Sequence, residues 1–205
     1  MPKRIIIVRH GETEYNVERR LQGWLDVPLN NDGIIQARKV AERLMHEAVS
    51  AIYTSDQKRA LVTAKHISQK HKLFPHRRKA LREDRLGILE GWQWDKHPDA
   101  YKQAQWEQRI LARQTGDLDW KVDGGESFGE HTIRVKKFLH RIEKLHPNDT
   151  IMIVSHGGTI NRILEIYGLK KITEEYIGFK NTSVTILIKN ANDYELELHN
   201  DISHL

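Results

Sequence analysis

Two short apolar runs, Ile5-Ile6-Ile7-Val8 and Ile151-Met152-Ile153-Val154, each run into a histidine followed by glycine. Runs this short, β-branched and free of alternation read as strands buried on both faces, the habit of a mainly parallel sheet covered by helices. In open α/β sheets, ligands sit outside the carboxyl ends of the strands. The sequence therefore places Arg9-His10-Gly11 and Ser155-His156-Gly157-Gly158 at two equivalent positions where a site is expected. Glycine after each histidine lets the backbone turn sharply and approach a ligand. The helix expected after Gly158 would aim its first N–H groups at the same spot, which favours an anion.

The rest of the chain alternates in the same way. Ala51-Ile52-Tyr53 is a weaker strand candidate. Val184 to Ile188 and Tyr194 to Leu198 read as two late strands with a turn over residues 190–193. Apolar stripes at helical spacing lie at Ile34, Ala37, Val40, Ala41 and Leu44, opened by Asn30-Asn31-Asp32-Gly33, and at Ala60, Ala64 and Ile67. Two more run from Phe128 to Leu145, ended by His146-Pro147, and through Ile160, Ile163, Leu164 and Tyr167, ended by Gly168. This pattern predicts a three-layer α/β/α sandwich with a mainly parallel central sheet. With no repeat and no linker, residues 1–205 are expected to form one domain, with residues 88–125 as a Trp-rich inserted segment.

Composition removes several chemistries. There is no cysteine, so disulfides, thiolate catalysis and Cys-ligated zinc are excluded. The 33 basic residues against 28 acidic ones give a net charge of +5, a mild excess spread along the chain. Its densest part, His71-Lys72 and His76-Arg77-Arg78-Lys79, is expected to be a solvated loop, and no nucleic-acid partner is expected. No apolar run approaches the roughly 20 residues of a membrane span. The first apolar run stops at Arg9, too short for a secretory signal, so the expectation is a cytoplasmic protein without membrane contact.

A single histidine at a strand end is usually a hydrogen-bonded structural residue. Two at equivalent ends, one beside an arginine and one beside a Gly-Gly helix start, point to a site. No His-x-x-x-His pair supports a metal, and His10-Gly11-Glu12 lacks the cysteines of a zinc-deaminase signature. Phosphoryl transfer remains: its catalysis is mostly positioning and charge stabilisation, and neutral imidazole is a competent nucleophile. Such a site needs fixed cations. Arg9 adjoins His10, and Arg59 lies at the expected start of a helix in Thr54-Ser55-Asp56-Gln57-Lys58-Arg59-Ala60, where its planar fork suits phosphate.

Arg9-His10-Gly11-Glu12-Thr13 with Asn16 resembles the opening signature of the histidine phosphatase superfamily, phosphoglycerate-mutase-like branch. Arg20-Leu21-Gln22-Gly23-Trp24, Tyr53-Thr54-Ser55-Asp56, Arg59-Ala60, Leu81-Arg82-Glu83, Gly125-Glu126-Ser127 and Ser155-His156-Gly157-Gly158 follow in the family's order. The resemblance covers most of the chain, residues 92–123 least. It implies a phosphohistidine on His10, with Glu83 as proton donor to the leaving group and then as base. It also implies Arg9, Arg59 and His156 as ligands of the phosphoryl oxygens, and Asn16, Gln22, Gly23 and Gly157 on the substrate side. No metal and no cofactor are implied.

The expected activity is hydrolysis of a small-molecule phosphomonoester, with broad specificity. A phosphoglycerate mutase would share every residue named, but is expected to carry a longer insert and a covering tail, because water must be kept from its phosphoenzyme. A non-catalytic phosphate-binding protein is expected to have lost His10 or Glu83. A homodimer is the candidate assembly. Four of the five tryptophans, Trp92, Trp94, Trp106 and Trp120, lie in the insert with Tyr101. They either cap the site and favour aromatic or bulky esters, or pack a helix on the core.

Overall fold

The computed structural model describes residues 1–93, 96, 98–191 and 193–205. Its centre is a six-stranded sheet. In chain order the strands are β1 (Arg4–Arg9), β2 (Ala51–Thr54), β3 (Pro75–Arg77), β4 (Thr150–Ser155), β5 (Val184–Asn190) and β6 (Asp193–Asp201). Their spatial order is β3-β2-β4-β1-β5-β6. The first four pair in parallel, while β5 and β6 are antiparallel additions at one side.

Alternation along the central strands explains the layers. Ile5, Ile7, Ile151 and Ile153 face one cluster, completed by Val135, Phe138, Leu139 and Ile142 of α5 (Phe128–Leu145) and Ile160, Ile163 and Leu164 of α6 (Gly157–Ile166). Ile6, Val8, Met152 and Val154 face the other, against Val40, Ala41 and Leu44 of α2 (Asn31–Leu44) and Ala60, Ala64 and Ile67 of α3 (Lys58–His71). Each buried Val, Ile, Leu, Met or Phe among them contributes about 1.5–3 kcal/mol, which fixes the register because a slip of one residue would exchange the faces. The three-layer sandwich with a mainly parallel sheet is the fold observed. A single-turn helix, α1 (Glu14–Val17), and a 16-residue helix within the insert, α4 (Ala100–Thr115), complete it. No helix among the described residues is long and apolar enough to cross a membrane.

One reading of the sequence is corrected. The basic stretch expected as a loop includes β3, an exposed edge strand in register with Ile52, Tyr53 and Thr54. Proline is tolerated there because an edge strand need not donate on its free side. This strand and the turn Lys79–Leu81 carry the chain to Glu83.

Candidate active site

The site forms where β1, β2 and β4 end. Parallel pairing sets Arg9 opposite Ser155, so the next residues of the two strands, His10 and His156, emerge side by side. Their ring centroids lie 5.1 Å apart, and both side chains are buried. His10 Nδ1 lies 2.7 Å from the Gly11 carbonyl, which can only accept. Nδ1 therefore carries the proton, and Nε2 keeps its lone pair. Burial first, then the charges of Arg59 and Arg9, hold the His10 pKa well below the ordinary range. The ring is neutral at neutral pH.

Arg59 is fully buried in the first turn of α3, within reach of the ends of β1 and β4. Its Nε donates to His156 Nδ1 at 3.2 Å, and its two terminal nitrogens donate to the carbonyls of Leu25 (2.8 Å) and Gly23 (2.9 Å). The remaining donors of the fork are left for a ligand. His156 accepts at Nδ1 and so carries its proton on Nε2, which is buried without a partner. Arg9 donates to the Phe179 carbonyl, while its Nε is likewise without a partner. Burial lowers the pKa of both arginines, Arg59 to about 10, so both remain cations at neutral pH. Neither makes an ion pair among the described residues. Buried charge of this kind is costly until an anion arrives.

Glu83 faces this group from the segment after β3. Oε2 accepts the N–H of Gly158 (3.1 Å), while Oε1 accepts those of Thr159 (3.2 Å) and Asp84 (2.9 Å). Burial raises its pKa, against the opposing pull of the Gly158 N–H, Arg59 and Arg9. A side chain on Gly158 would meet Glu83 Oε1 at 2.4 Å, so only glycine admits this approach. The N-terminus of α6, expected to point at a bound anion, thus holds the carboxylate of Glu83 itself.

Arg9, His10, Asn16, Gln22, Gly23, Arg59 and Glu83 line one cavity of about 650 Å³. His156 stands behind His10 and Arg59, and Gly157 lies beneath Tyr176; neither lines the cavity. Asn16 Oδ1 is taken by Thr13 and Asn181, leaving its amide NH₂ as the ligand-facing group. Gln22 Oε1 is buried without a partner.

Several contributors were not visible in the sequence. Gln57 joins two segments, donating to the Gly23 carbonyl and accepting the Glu83 N–H. Arg134 donates to the carbonyls of Ala80, Arg82 and Glu83. The outer chamber is lined by Arg109, Arg113 and Arg162, whose guanidinium carbons lie 4.2, 5.9 and 5.1 Å from the Phe128 ring centre. Arg109 pairs with Asp84, but Arg113 and Arg162 converge on the single carboxylate of Glu165. An arginine in isolation reads as a surface residue, and only the fold gathers these three. Of the insert's tryptophans, Trp106 lines the cavity. Trp92 is buried with Leu86, Leu89 and Val122, both Trp106 and Trp120 pack against them, and Trp94 lies outside the described residues. Tyr101 is exposed.

Asp84, Glu126 and His131 are clustered closely enough to hold a metal ion. Both carboxylates are already paired, with Arg109 and Arg134, and those guanidinium charges oppose a cation there.

Residues 5–202 match the family described as the histidine phosphatase superfamily (branch 1). The chain belongs to this superfamily. Phosphoglycerate mutase-like protein 4 of Arabidopsis thaliana is 36% identical, over 98% of this chain and 86% of that protein. The metal-independent phosphoserine phosphatase of the same plant is 34% identical, over 98% and 82%. Among solved histidine phosphatase folds, the mycobacterial glucosyl-3-phosphoglycerate phosphatase in complex with VO3 superposes with a TM-score of 0.82. It is 29% identical and the match covers 97% of this chain and 98% of that one.

Proposed function

We propose that the protein is a metal-independent phosphatase that hydrolyses phosphomonoesters through a phosphohistidine on His10. The observation that carries this reading is the tautomer of His10. Its Nδ1–H is spent on the Gly11 carbonyl, so a neutral Nε2 lone pair stands beside Arg9 and Arg59, two cations that make no ion pair among the described residues.

In the first step Nε2 attacks phosphorus and the ester P–O bond breaks. Arg9, Arg59 and the Nε2–H of His156 hold the non-bridging oxygens, the work a metal ion would otherwise do. Asn16, Gln22 and Gly23 shape the substrate side, and Gly157 leaves room for the Tyr176 hydroxyl above it. Glu83, whose pKa burial raises, gives its proton to the leaving oxygen. Oε2 is the oxygen that carries it, because Oε1 already accepts two N–H groups and Oε2 one. In the second step Glu83 takes a proton from water, the hydroxyl attacks phosphorus, and His10 leaves as neutral imidazole. Phosphate departs and Glu83 is again protonated.

The outer chamber narrows the expectation of broad specificity. Two arginines sharing one carboxylate, beside a third, offer donors to a substrate whose organic part is itself acidic. This agrees with relatives named for phosphoserine and glucosyl-3-phosphoglycerate. The likeness to a phosphoglycerate mutase-like protein keeps a second reading alive, since a mutase would use the same residues. The test is incubation with 3-phosphoglycerate, glycerol 3-phosphate and nitrophenyl phosphate in excess chelator. The phosphatase reading expects phosphate release from all three, fastest from the acidic ester. Isomerisation of 3-phosphoglycerate without phosphate release selects the mutase, and loss of activity restored by a divalent cation refutes metal independence.

A further inference from the structure

The connection between α6 and β5 carries no motif, yet it crosses the mouth of the cavity. Thr173, Glu174, Glu175 and Tyr176 all line it. The arch is pinned on both sides of Tyr176. Lys170 donates to the Glu175 carbonyl. Asn161, fully buried in α6, holds both polar groups of Ile177: its Nδ2 donates to the carbonyl (3.0 Å) and its Oδ1 accepts the N–H (3.1 Å). Arg9 donates to the Phe179 carbonyl, so a residue of the site is itself one of the pins. A segment held this way presents its side chains at fixed positions.

The Tyr176 ring is half exposed and packs over the Arg113 guanidinium at 5.3 Å, while its hydroxyl turns inward. Oη lies 2.9 Å from the point where a Cβ on Gly157 would stand, and that same point lies 4.0 Å from Arg9 Nε. The hydroxyl makes no hydrogen bond among the described residues, and Arg9 Nε, near the same point, is a buried N–H without a partner among them. Two donors lacking acceptors thus sit together, one step from His10. Burial, reinforced by the charge of Glu83, pushes the phenol pKa up, so the group stays a protonated donor.

We propose that Tyr176 is a further catalytic residue, whose hydroxyl donates to the phosphoryl oxygen held by Arg9. A donor fixed in advance where charge develops needs no reorganisation as the phosphoryl group transfers. Gly157 acquires a reason within the same arrangement, because any side chain there would occupy the space of the hydroxyl.

This inference rests on the phosphatase reading, and the experiment separates the two. Tyr176→Phe keeps the ring and removes only Oη. Three quantities are compared with wild type: orthophosphate affinity by calorimetry, kcat/KM on an aryl and an alkyl phosphate, and Tm. Loss of one hydrogen bond to a charged group predicts phosphate binding weaker by about 10- to 100-fold. It also predicts a similar fall in kcat/KM on both esters, with Tm unchanged. Unchanged affinity and turnover overturn the proposal, as does a loss confined to one ester, which would put the hydroxyl on the organic group. Should Tyr176→Phe melt early, Gly157→Ala decides. It must weaken phosphate binding in the wild-type background and add little in the Tyr176→Phe background; equal losses in both refute the contact. Phosphate affinity is read without turnover. An inactive wild type that loses phosphate binding on Tyr176→Phe sinks the phosphatase reading alone, and an active wild type indifferent to Tyr176→Phe sinks this proposal alone.

Discussion

Arg59 Nε donates to His156 Nδ1 at 3.2 Å, and this one bond decides that His156 presents an N–H, not a lone pair, to a bound oxygen. Arg59→Lys cannot reproduce it, because an ammonium has no fork to reach His156 and the carbonyls of Gly23 and Leu25 together. The variant is expected to lose about 100-fold or more in kcat, the usual cost of one fixed donor. The Leu25 carbonyl, left unpaired, costs about 1–3 kcal/mol of stability. Steady-state kinetics and denaturant unfolding check this, and an Arg59→Lys enzyme with wild-type kcat contradicts it.

Glu83 and His10 set opposite limbs of the pH profile. The reaction needs His10 neutral, and its pKa is lowered, so kcat/KM falls only at pH well below about 6.5. It needs Glu83 protonated, and that pKa is raised, so the alkaline limb lies above the ordinary carboxylate range. Glu83→Gln should slow an alkyl phosphate by about 10²–10⁴-fold and nitrophenyl phosphate far less, with the alkaline limb gone. Equal losses on both esters argue against the acid role.

Trp92 and Trp106 should part company. Trp92 is buried in the small cluster under the insert, so Trp92→Ala should cost about 3–5 kcal/mol and leave the ratio of aryl to glyceryl phosphate turnover unchanged. Trp106 lines the cavity, so Trp106→Ala should shift that ratio at a smaller cost in Tm. The opposite pattern would move the specificity wall from Trp106 to Trp92.

Arg113 lines the outer chamber, where it shares Glu165 with Arg162. Arg113→Gln should lower kcat/KM on 3-phosphoglycerate by about tenfold or more while sparing glycerol 3-phosphate, which lacks the carboxylate. Equal effects on the two would remove the case for an acidic substrate.

The central sheet and its two histidines were legible because burial on both faces writes itself as unbroken apolar runs. A parallel register then makes equivalent strand ends neighbours in space. Arg59 was legible from its place at a helix start. Glu83 came only through the family resemblance, since nothing local marks one acid among 28. Arg162, Asp84 and Tyr176 were not legible at all. Each is an ordinary surface residue type, and only long-range packing turns it toward the cavity. The three residues of β3 were missed for a related reason: an exposed Pro-His-Arg edge carries no apolar pattern.

The account stands on covalent transfer to His10. Wild-type enzyme mixed with phosphate-labelled substrate, quenched within a turnover and mapped by peptide should carry label on His10. That label should be lost in acid and kept in base, as a phosphoramidate requires. His10→Ala should carry none and should lose several orders of magnitude in turnover. Label that persists in His10→Ala, or that maps to any other residue, would contradict the account.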